Sequence, residues 1–124
     1  MNQTITLAPI VKGYSFSFAL NFIDADGAPP AGFDLTAATR VMGQFRPARE
    51  DAGPPLATVD TADGSLTIND AHSISFTIPA SATAAMTGGQ PAWVDFAWRV
   101  AEDWRHIPVI IAWPVIDPVT IPPT

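Results

Sequence analysis

Cysteine is absent from the 124 residues, so the chain has no disulfide framework, no thiolate nucleophile and no Cys-ligated zinc or iron–sulfur site. Positive charge is scarce. The six basic residues, Lys12, Arg40, Arg46, Arg49, Arg99 and Arg105, stand against twelve acidic ones and leave a net charge of −6. A phosphate backbone or an anionic lipid surface is repelled by such a chain, so neither nucleic acid nor membrane is expected among its partners. Long apolar runs are missing too. The most apolar stretch, Ile107 to Ile116, is interrupted by Pro108 and Pro114 and falls short of the ~18 residues that read as a membrane-spanning helix. The opening Met1-Asn2-Gln3-Thr4 has neither the basic nor the apolar region of a secretory signal, and classical secretion is not expected.

Catalytic constellations are equally thin. A hydrolase triad needs an imidazole base, and only His72 and His106 can supply one. Neither accompanies a Gly-x-Ser-x-Gly elbow. Asp24 and Asp26 have the first spacing of a calcium loop, but Ala28 and Leu35 stand where its later ligands belong. Asp95 shares an alternating face with Trp93 and Arg99, and is expected to pair with Arg99 or with a cross-strand partner rather than to act as an acid–base residue. No catalytic residue, cofactor site or metal site is therefore assigned.

What the chain does have is alternation. Tyr14, Phe16, Phe18, Leu20 and Phe22 fall at period two, the signature of a half-buried strand. Asp24-Ala25-Asp26-Gly27 and a Pro-rich spacer follow and cannot continue a ladder. Further strands are predicted over 40–46, 56–59, 65–68, 73–78, 93–101, 106–112 and 115–121. Ser81 to Met86 is the one helical candidate, with Ser81 as its cap and Gly88 or Gly89 as its stop. About eight short strands and one brief helix predict an all-β protein, an antiparallel sandwich or barrel. A parallel sheet is not expected, because no crossover helix of useful length exists.

Thirteen prolines, four tryptophans and a mean hydropathy of +0.21 describe a chain that hides part of its surface against neighbours, or else a compact sandwich with an apolar surface. Trp98 alternates with Val94 and Phe96 and belongs to the core. Trp93, Trp104 and Trp113 are candidates for a protein interface, for a sugar-stacking platform, or for a second side of the core.

The order of short motifs resembles small virion proteins of tailed phages. The carrying residues are Gly13-Tyr14-Ser15-Phe16, Asp24-Ala25-Asp26-Gly27, Asp34-Leu35-Thr36, Val41-Met42-Gly43-Gln44-Phe45-Arg46, Asp63-Gly64-Ser65-Leu66-Thr67-Ile68, the Ile78 to Gly89 passage with its Met-Thr-Gly-Gly close, the strand Trp93 to Val100, and Val119-Thr120. Ala92-Trp93 replaces a tyrosine usual before the Asp-containing strand. The resemblance implies an immunoglobulin-like β-sandwich similar to baseplate upper proteins and capsid accessory domains, located in the virion and without catalytic residues.

On that footing residues 1–12 are read as an N-terminal arm, 13–121 as a single sandwich domain and 122–124 as a tail. The function expected is capsid cement or decoration, docking on other virion proteins or on copies of itself. A tail or baseplate component, or a carbohydrate- or receptor-binding module, is the alternative. Expected docking residues are Ile5, Leu7 and Ile10 of the arm, Trp93, the hairpin residues Trp104, Ile107, Ile110 and Trp113, Val119 and Ile121 of the tail, and Arg40 and Arg46 against acidic patches.

Overall fold

A computed structural model describes residues 7–22, 34–49 and 53–118. Among the described residues nine strands run in chain order: β1 (Ile10–Val11), β2 (Phe16–Asn21), β3 (Arg40–Arg46), β4 (Ala57–Asp60), β5 (Leu66–Asp70), β6 (Ser73–Ile78), β7 (Ala92–Val100), β8 (Asp103–Trp113) and β9 (Val115–Ile116). They form a three-stranded sheet ordered β2-β6-β5, a four-stranded sheet ordered β4-β3-β7-β8, and the pair β1-β9. The hairpins β3-β4, β5-β6 and β7-β8 each stay within one sheet, while the connections between hairpins cross to the other. This is an all-β sandwich.

Alternation builds the core between the sheets. Phe16, Leu20, Phe76 and Ile78 point inward from one sheet, and Val41, Phe45, Val94, Phe96 and Trp98 from the other. The Phe76 ring meets Phe45 at 5.7 Å, Phe96 at 6.2 Å and Trp113 at 5.6 Å between centroids, so it joins three strands of the facing sheet. Gly43 alternates inward on β3 opposite Phe96, and a Cβ there would lie 2.5 Å from that ring. The aromatic side chain thus occupies the space the glycine leaves open.

Several expectations change at the chain ends and turns. The arm is not separate, because Ile10 is fully buried and β1 pairs in parallel with β9 through Ile10↔Val115 and Val11↔Ile116. This parallel pair needs no crossover helix, since the whole sandwich is the connection between its strands. The predicted helix shrinks to α1 (Ala80–Thr83), with Pro79 rather than Ser81 at the cap position and no side chain capping it. A turn expected at Glu102-Asp103 sits at Ala101 and Glu102 instead, with Ala101 at φ 56. The Asp24–Gly27 turn, Ile5, Val119, Ile121 and the 122–124 tail lie outside the described residues.

Short aspartate turns hold the connections. Asp34 Oδ1 accepts from the Thr36 amide at 3.0 Å and hydroxyl at 2.5 Å, capping a 3₁₀ turn (Leu35–Ala37) that buries Leu35. Asp63 accepts from the Ser65 amide and hydroxyl, and Asp70 from the His72 amide. Asp60, at the crossing from β4 to β5, accepts from Arg40 and from the Ala62 amide. Each of these carboxyls is held below its ordinary pKa, because the charged form accepts the bond: chiefly from the Thr36 hydroxyl at Asp34, the Ser65 hydroxyl at Asp63, the His72 amide at Asp70 and the Arg40 guanidinium at Asp60.

A carboxyl depressed in the folded state adds stability that is fully present above its unfolded pKa, about 3.9 for Asp, and is lost as pH falls through the lower folded value. The contribution of these turns is therefore level above about pH 5 and declines below about pH 4. Melting temperatures measured across that range should fall on the acid side. A melting temperature that rose on acidification would contradict the assignment.

Candidate functional site

The outer face of the four-stranded sheet gathers five of the expected docking residues, Arg40, Arg46, Trp93, Trp104 and Ile110. Outward positions are Arg40, Met42, Gln44 and Arg46 on β3, Trp93, Asp95, Ala97 and Arg99 on β7, and Trp104, His106, Ile110 and Ala112 on β8. The register sets them in rows across the sheet. Arg40 lies opposite Arg99 and Arg99 opposite Trp104; Gln44 lies opposite Asp95 and Asp95 opposite Ile110; Arg46 lies opposite Trp93 and Trp93 opposite Ala112. Trp104 and Ile110 are the large apolar side chains most open to solvent here, at 44% and 45% exposure.

An irregularity in β8 shapes this face. Between the pairs Asp95↔Ile110 and Ala97↔His106, only Phe96 stands on β7 against three residues on β8. Ile107 turns inward within this bulge and is buried at 2% exposure, while His106 and Ile110 both stay outward.

Electrostatic pairing on the face is specific. Arg40 makes two charge-assisted hydrogen bonds to Asp60, Nε to Oδ1 at 3.0 Å and Nη2 to Oδ2 at 2.6 Å. Its guanidinium also lies 5.8 Å from the centre of the Trp104 ring. Arg49 sits 5.6 Å over Trp93, and Arg46 donates to the Gln44 side chain at 2.7 Å and to the Gly53 carbonyl. His106 Nε2 and Asp95 Oδ2 are 2.8 Å apart and both half exposed. The expected cross-strand partner of Asp95 is thus an imidazole, with Arg99 pairing elsewhere in register. The positions adjoining this pair are Ala97, Ile110 and Gln44, none of which carries a hydroxyl or thiol to be activated. Among the described residues no group of acidic, His or Cys side chains could hold a metal ion, and no helix is long and apolar enough to cross a membrane.

Three expected docking residues are corrected. Ile10, Ile107 and Trp113 are core residues at 0%, 2% and 0% exposure, because each alternates inward or is closed off by the β1-β9 pair. Leu7 is half-buried and packs against the core. Arg40, Arg46, Trp93, Trp104 and Ile110 do share the outer face. Arg99 and His106 were missed as members, although the alternation of Trp93 to Arg99 already puts Arg99 beside Trp93 and Asp95. No family model, no curated protein and no solved structure matches the chain.

Proposed function

We propose that this chain is a non-enzymatic structural protein of a tailed-phage virion, docking on a symmetric shell or tube through the outer face of its four-stranded sheet. The observation that carries the reading is the composition of that face: Trp93, Trp104 and Ile110 set among Arg40, Arg46 and Arg99 on a hydrogen-bonded sheet. Aromatic and arginine side chains on preorganised backbone are the features that protein interfaces concentrate. The virion setting rests on the order of motifs from Gly13 to Thr120. Head decoration is the first form of the proposal, and a tail or baseplate position the second. A stacking site for sugar is less well supported, because such a platform needs an open ring face and arginines lie over both Trp104 and Trp93.

The test is to purify particles from a lysate of the strain carrying the gene and count copies of the chain by quantitative mass spectrometry. Many copies, comparable to the shell subunit, are expected for head decoration. A small fixed number would move the protein to the tail, and absence from particles would remove the proposal altogether.

A further inference from the structure

We infer that Arg99, flanked by Arg40 and Trp104, is the seat for a carboxylate side chain presented by a protein partner. The inference rests on the docking reading above and adds the chemistry of what docks. Arg40 and Arg99 lie directly opposite one another on adjacent strands, an arrangement of like charges that weakens a sheet. Of the two, only Arg40 has a carboxylate partner among the described residues. Asp60 gives both carboxylate oxygens to Arg40, and Asp95 pairs with His106. Arg99 has no carboxylate partner among the described residues, and its Nε is sealed from solvent without an acceptor.

A guanidinium without an acceptor is costly to cover, and Arg99 is only part-buried, so a partner that closes over this face gains where it brings a carboxylate to the open part of the group. An incoming carboxylate would meet the charge of Arg99 and the partly neutralised Arg40 beside Trp104 within one cross-strand row. The source is a protein acid rather than a nucleic acid or an anionic membrane. The remainder of this chain carries the excess negative charge, which repels an extended polyanion but leaves a single well-placed carboxylate acceptable.

The probe is a blocked Gly-Glu-Gly-Glu-Gly peptide, titrated into the full isotope-labelled chain while the arginine Nε–H and tryptophan indole resonances are followed. Saturable movement is expected at Arg99 and Trp104, weakened by raised salt. Arg99→Met should bind the peptide at least about tenfold more weakly, with Arg99→Lys in between. Binding unchanged in Arg99→Met, no saturable movement in the wild type, or sulfate binding as well as the peptide would each overturn the inference. Particle occupancy separates it from the docking reading. Occupancy lost in Trp104→Ala but kept in Arg99→Met sinks the carboxylate seat alone; occupancy kept in both sinks the docking face itself.

Discussion

Replacing Trp113 by alanine is expected to cost about 3–5 kcal/mol of folding stability, the range for removing a large aromatic from a core. The side chain is fully buried and touches both sheets: Phe16 at 5.7 Å, Phe18 at 4.9 Å, Phe45 at 6.2 Å and Phe76 at 5.6 Å between ring centroids. Its indole Nε1 also donates to the Ala8 carbonyl at 2.8 Å, tying the start of the chain to the end of β8. A domain of this size holds about 5–15 kcal/mol in total, so roughly a fifth or more of the margin would go. Calorimetry should show a melting temperature lower by about 10–20 °C. Trp113→Phe should lose less, because it keeps most of the ring contacts and gives up the bond to Ala8. A Trp113→Ala protein that melted like the wild type would mean the ring is not part of the core, and would revive its assignment as a docking residue.

Much of the sandwich is legible in the sequence because burial at a sheet imposes period two. Arg40–Arg46 and Ser73–Ile78 fall on the bounds that alternation predicts, with Val41, Phe45, Ile74, Phe76 and Ile78 inward. The misplacement of Trp113 has a traceable cause. Pro108 and Pro114 invite a reading of Ile107 to Ile116 as broken pieces, whereas Asp103–Trp113 is one strand with an internal bulge. Carried through as one strand, parity separates Trp104 and Ile110 on the outside from Ile107, Ile111 and Trp113 on the inside. The bulge adds two residues on β8, an even number, so the parity survives it.

Other features carry no local signal at all. The β1-β9 pair is two residues long on each side and joins opposite ends of the chain, so neither strand shows a period. The isolation of Arg99 depends on three separate facts of tertiary register: that β3 places Arg40 beside it, that β4 delivers Asp60 to Arg40, and that Asp95 reaches His106. Composition counts acids in excess throughout. It cannot reveal that the face carrying Trp93 and Trp104 also holds an arginine with no carboxylate partner among the described residues.

The second large effect is expected at Thr83, a polar residue with no exposed surface. Its hydroxyl accepts from the Gly13 amide at 3.1 Å and donates to the Tyr14 carbonyl at 2.7 Å, 69 residues away in sequence. The Ala80 carbonyl lies at 3.1 Å and competes for the same proton. One side chain on α1 thus closes the link between β1 and β2, where Gly13 turns at φ +85. Thr83→Val keeps the shape and removes both bonds, and should cost about 1–3 kcal/mol. Thr83→Ser keeps the hydroxyl and removes one methyl, a loss of about 1 kcal/mol. Valine should therefore be the more damaging of the two despite its closer fit. Hydrogen exchange gives the sharper readout: the Gly13 amide should lose protection in the valine protein and keep it in the serine one, while the amides of β3 and β7 change little beyond the global shift. If serine proved the worse substitution, packing rather than hydrogen bonding would hold this corner, and the arm would be fixed to the sandwich chiefly by Ile10 in the core.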